Sequence, residues 1–207
     1  MTNRREFLQI GIAATAWPLA SSAAGAVGGS LPDPTAMPMH GLIYDRRFPA
    51  SLAFAERAAA RGLDVHAIEG DMTRYWFEEL YHVWKQQPVA IAGLTAHGPL
   101  FCFDMLGRDQ GLRVVFRAEH RSGIGGGSEH RLSGPLPMLQ QCMQLRNDPD
   151  SWGQQMADVV AECPSGRVEI AHARTGIAPA PDAAATDALY TWVIAPVVRT
   201  VSPPQRS

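Results

Sequence analysis

From residue 41 to residue 116 the apolar positions switch between short continuous runs and stripes at helical spacing. Gly41-Leu42-Ile43-Tyr44-Asp45 is a short apolar run ending in charge, which predicts a strand. Pro49 suits the first turn of a helix, and Leu52, Ala55 and Ala59 recur at helical spacing before Gly62 ends it. Val65-His66-Ala67-Ile68 predicts a second strand. Asp71 is placed to cap the next helix, whose apolar stripe is Met72, Trp76, Leu80, Val83 and Trp84. Pro88 stops that helix. Val89-Ala90-Ile91-Ala92 is then apolar on both faces, as strands of parallel sheets are. A third helix starts at Gly98-Pro99 and runs to Gly111, and Leu112-Arg113-Val114-Val115-Phe116 predicts a fourth strand.

This alternation of strand and helix argues for an α/β fold: one mainly parallel sheet, right-handed crossovers, helices on both faces, Rossmann-like or flavodoxin-like in type. The C-terminal half is less regular. Pro137 to Cys163 reads as mainly helical, with a break near Asn147-Asp148-Pro149. Val168 to Ala171 and Leu189 to Ile194 read as two further strands. Pro196 makes the last of them the candidate for an antiparallel edge strand near the C-terminus. The expected organisation is a leader over 1–26, a Gly- and Pro-rich tether over 27–39, one domain over 40–200, and a disordered tail over 201–207.

The leader carries the most specific motif. Asn3-Arg4-Arg5-Glu6-Phe7-Leu8-Gln9 precedes an apolar run from Ile10 to Leu19 and the small residues Ala24-Gly25-Ala26, with Ser22-Ala23-Ala24 as a competing cleavage point. It resembles the twin-arginine export signal, Ser/Thr-Arg-Arg-x-Phe-Leu-Lys: Arg4, Arg5, Phe7 and Leu8 match, while Asn3 and Gln9 depart from it. The resemblance implies export of a folded protein to the bacterial periplasm, the route used when a cofactor or partner is acquired first. The apolar run is about half the ~20 residues that span a bilayer, so no stable membrane span is expected once the signal is removed.

Charge narrows the partners. Eighteen Lys and Arg against twenty Asp and Glu give a formal net charge of −2, without the basic balance that nucleic-acid recognition needs. Three cysteines are an odd number for an oxidising compartment. Cys142 and Cys163, flanking a predicted helical segment, are the two that could pair. No C-x-x-C, haem or iron–sulfur spacing occurs, and the cofactor is unknown.

Ligands of open α/β sheets bind beyond the carboxyl ends of the strands. The predicted ends carry Asp45-Arg46-Arg47, Glu69-Gly70-Asp71, Gly93-Leu94-Thr95-Ala96-His97-Gly98 and Glu119-His120-Arg121. In the third of these a helix N-terminus offers free amides to an anion, with Thr95 and His97 beside it, although neither a Walker loop nor G-x-G-x-x-G is present. Glu119-His120-Arg121 recurs as Glu129-His130-Arg131 across a glycine-rich loop, which could join two histidines and two carboxylates. Alternation could also send the histidines to opposite faces. No third ligand is fixed among His97, His172 and Asp45, so no metal is assigned, and Met37-Pro38-Met39-His40 is only a weak soft-ligand group.

Two functions follow. One is a periplasmic ligand-binding or accessory subunit for an exported enzyme, redox enzymes included, with Phe77 and Tyr81 on the aromatic helix as its partner surface. The other is an enzyme for a small anionic substrate. There Arg46 and Arg47 hold the anion with Thr95, Gly98, Glu119 and His120 nearby, His97 is acid or base, and Asp45 or Glu119 orients it.

Overall fold

The structure is a computed structural model that describes residues 36–122, 127–145, 148–166, 169–177 and 187–197. The leader, most of the tether, the tip of the glycine-rich loop and the tail lie outside the described residues. In chain order the elements are β1 (Met39–Asp45), α1 (Pro49–Ala60), β2 (Val65–Ile68) and α2 (Thr73–Tyr75). Then come a π-helical turn (Trp76–Leu80) continuous with α3 (Tyr81–Gln86), β3 (Ala90–Ala96), α4 (His97–Asp109) and β4 (Leu112–Ser122). The rest are β5 (Ser128–Pro135), α5 (Leu136–Cys142), α6 (Pro149–Ala161), β6 (Ile170–Gly176) and β7 (Leu189–Pro196).

All seven strands form one mixed sheet in the order β2-β1-β3-β7-β4-β5-β6. β1 pairs in parallel with β2 and β3, as the alternating pattern predicts. The remaining four pairings are antiparallel, yet only β5 and β7 run against the other strands. The antiparallel edge strand near the C-terminus is β6. β7, expected at the edge because of Pro196, lies in the interior instead. Pro196 is the last residue of its strand, opposite Leu112, the first of β4, so its missing N–H falls at the end of the ladder. Residues Leu189 to Ala195 are buried in unbroken succession, the signature of a strand covered on both faces.

Alternation along the strands feeds two cores. Leu42, Leu94, Phe116, Leu132 and Val193 meet Phe54 of α1, Met138 of α5 and Trp152 of α6 on one face. Ile43, Ile91, Trp192 and Ile194 meet Trp84 of α3 and Phe103 of α4 on the other. Helices therefore cover both faces. Where α1 and α6 touch, Gly153 is the contact: a Cβ there would lie 2.2 Å from the Ala50 carbonyl oxygen.

Three local expectations change. The tether ends earlier than predicted, because Met37 N–H donates to the Cys163 carbonyl (2.7 Å) and Ala36 bridges Pro164. β4 continues six residues past Phe116, its exposed positions alternating with buried ones after a bulge between Val114 and Phe116. Cys142 and Cys163 are both free thiols, and burial pushes each up to about 12. Among the described residues no helix is long and apolar enough to cross a membrane.

Candidate functional site

The extension of β4 moves Glu119-His120-Arg121 from a loop into a hairpin with β5. Its register sets Glu119 against Arg131, His120 against His130 and Arg121 against Glu129. Two copies of one tripeptide running antiparallel must pair this way once their middle residues are opposite, and directly opposed residues share a face. The imidazoles therefore meet rather than diverge. His120 Nδ1 lies 2.7 Å from His130 Nδ1, and His120 Nε2 lies 2.8 Å from Thr191 Oγ1 of β7. Both rings are buried, and His120 stacks on Trp152 at 4.2 Å with an interplanar angle of 19°.

These bonds couple the protons of the site. A neutral imidazole carries one N–H, so one Nδ1 donates and the other accepts. If His130 donates, His120 is protonated at Nε2 and donates to Thr191. If His120 donates, its Nε2 accepts from the Thr191 hydroxyl. Burial, followed by the neighbouring His130, holds His120 well below the ordinary histidine range, so His120 is neutral near pH 7.

His120 and Trp152 form part of the wall of a cavity of about 630 Å³. Phe48, Ala50 and Leu189 supply its apolar surface, and Asp148, Asp150 and Asp187 its carboxylates. Asp148 also caps α6, accepting from Ser151 N–H at 2.9 Å and Ser151 Oγ–H at 2.7 Å. Trp152 is buried, and among the described residues its indole N–H has no acceptor. A buried donor in that state costs about 1–3 kcal/mol.

The residues singled out at the strand ends do not converge here. Asp45 is fully buried and accepts from Arg47 Nε at 2.9 Å and Nη2 at 2.6 Å. Arg46 donates to Glu69 at 2.6 Å. Both arginines are thus bonded to carboxylates. Thr95 Oγ1 accepts from Trp192 Nε1 at 3.1 Å and donates to the Ala96 carbonyl at 2.9 Å, so its hydroxyl serves the core. His97 opens α4, exposed, with its ring 5.4 Å from that of Tyr190; Gly98 beside it faces open space. Tyr190 belongs to the second core and Trp152 to the first, so His97 and His120 occupy opposite faces of the sheet. Glu119 bonds Arg121 along its own strand at 2.5 Å. Phe77 and Tyr81 are 63% and 40% exposed.

Thr191 and Trp152 were missed as partners of His120, whereas His130 was offered as one by the repeated tripeptide. Thr191 and Trp152 arrive from remote segments. His172 stands exposed on β6 opposite Ser133, away from the pair. Among the described residues no three His, Cys, Asp or Glu side chains are grouped to hold a metal ion. Compared with known proteins, the chain matches no family model, no curated protein and no solved structure.

Proposed function

We propose that this is an exported, periplasmic ligand-binding protein whose ligand occupies the cavity over His120 and Trp152. The twin-arginine resemblance of the leader supports the location. The observation that carries the binding reading is the buried Trp152, stacked on His120 in the cavity wall, with an indole N–H that no described residue accepts. The size is ordinary for a small-molecule site. The apolar surface of Phe48, Trp152 and Leu189 suits an apolar or aromatic body with one acceptor for the indole. The three aspartates favour hydrogen-bond donors or positive charge at the opposite end of the ligand. An anion is disfavoured, since Arg46 and Arg47 are bonded elsewhere.

The test is a small-molecule library screened by thermal shift, with hits followed by tryptophan fluorescence on the wild type and Trp152→Phe. Amphipathic hits that bind the wild type and lose about tenfold in affinity in Trp152→Phe, one hydrogen bond's worth, would support the site. Hits that bind both equally would remove it.

A second reading, the accessory subunit, has its own observation. Phe77 and Tyr81 lie one turn apart and exposed on the same helix, as a helix that docks a partner would present them. Gentle purification from the periplasm followed by native mass spectrometry decides it: a stoichiometric complex lost in Phe77→Ser supports it, and a bare monomer does not.

A further inference from the structure

A second cavity, of about 650 Å³, opens beside β2, the edge strand at the other end of the sheet from β6. Its wall combines β2 with α2 and the π-helical turn. A π turn adds a residue to the helix and recurs at functional sites because it re-aims side chains. Here it sets Glu79 Oε1 3.5 Å from His40 Nε2 and 3.6 Å from His66 Nε2. Asp64 Oδ2 lies 3.4 Å from His66 Nε2 on the other side. None of these spacings is a good hydrogen bond.

The group is left unfinished. Tyr75 is nine-tenths buried, and among the described residues its hydroxyl has no hydrogen-bond partner; the same holds for the buried Nε2 atoms of His40 and His66. Tyr75 and His66 pack ring against ring at 4.5 Å, and both line the cavity. Burial first, then the charges of Glu79 and Asp64, raises the Tyr75 phenol, so it stays protonated and keeps both donor and acceptor capacity. The positive charges at the cavity are already engaged, Arg46 with Glu69 and Arg74 with Glu78.

We propose that this cavity binds a guanidinium or ammonium group, seated against Glu79 and accepted by the Tyr75 hydroxyl. The choice follows by elimination. An anion would face Glu69, Asp71, Glu78 and Glu79 with no uncommitted guanidinium to receive it. An apolar ligand would leave Tyr75 Oη and His66 Nε2, already buried, still without partners. A cation with several N–H donors supplies what each of these groups lacks, and charge-assisted bonds to carboxylates are the strong kind. The cation is either a free amine or the side chain of an extended peptide lying along β2.

Isothermal titration calorimetry with agmatine, and separately with a blocked peptide of alternating alanine and arginine, tests the assignment on the full chain. Saturable binding weakened about tenfold or more in Glu79→Gln supports it. Tyr75→Phe, which keeps the ring and therefore the packing, should weaken binding about threefold to tenfold. Equal affinity for both probes identifies a free cation; much tighter peptide binding identifies a peptide. Absence of binding at millimolar probe, or affinity unchanged in both variants, overturns the proposal.

Discussion

His120 carries a pH signature. It is fully buried, and its native affinity for a proton is held well below that of an unfolded histidine near 6.5. Below that pH the unfolded chain binds a proton that the native chain refuses, so stability falls as pH falls. The contribution is whole above about pH 6.5 and is lost as pH drops from there toward the native value, at up to about 1.4 kcal/mol per pH unit. Chemical denaturation of the wild type between pH 7.5 and 5 should show this slope. His120→Asn, which can still bond to Thr191, should have a flatter profile over that range; an unchanged slope would show that another group titrates.

Among the elements, α1 and α6 meet so closely that the sequence at their crossing is fixed by space. Gly153→Ala would drive a methyl into the Ala50 carbonyl, 2.2 Å away, where backbone cannot yield as a side chain would. Overpacking of this kind should destabilise by about 1–3 kcal/mol, visible as a lower Tm, although alanine is the better helix former. On the exposed side Asp158 accepts from Arg57 and Arg61 at 2.8 Å each, which adds little beside the packing. Local pattern made β1 through α4 readable, because each of these elements pairs or packs with near neighbours in the chain. β7 was not placed, since strand order depends on which ladder accepts a run, and Pro196 pointed to the wrong answer. The candidate site was legible only as the repeated tripeptide. His120 and His130 could be named, but Trp152 and Thr191 reach them through packing that leaves no local pattern. His97 and Asp45 were credible by residue type and by their place at predicted strand ends, but the sheet separates His97 from the His120 cavity and Arg47 bonds Asp45.

At the scale of the whole molecule, β7 joins two sub-sheets. β2, β1 and β3 lie on one side of it, and β4, β5 and β6 on the other. Its side chains enter both cores, Val193 one and Trp192 and Ile194 the other. A chain cut before residue 187 should therefore fail to give a cooperative melt. Adding a synthetic peptide of residues 187–197 should restore it, with calorimetry showing tight one-to-one association. A truncated chain that melts cooperatively alone would show that the two halves hold together without the strand.

The same placement governs timing in the cell. β7 is the last of the described strands to be made, so until it emerges the growing chain carries two unjoined half-sheets and exposes the ladder edges of β3 and β4. Closure must wait until β7 has been made.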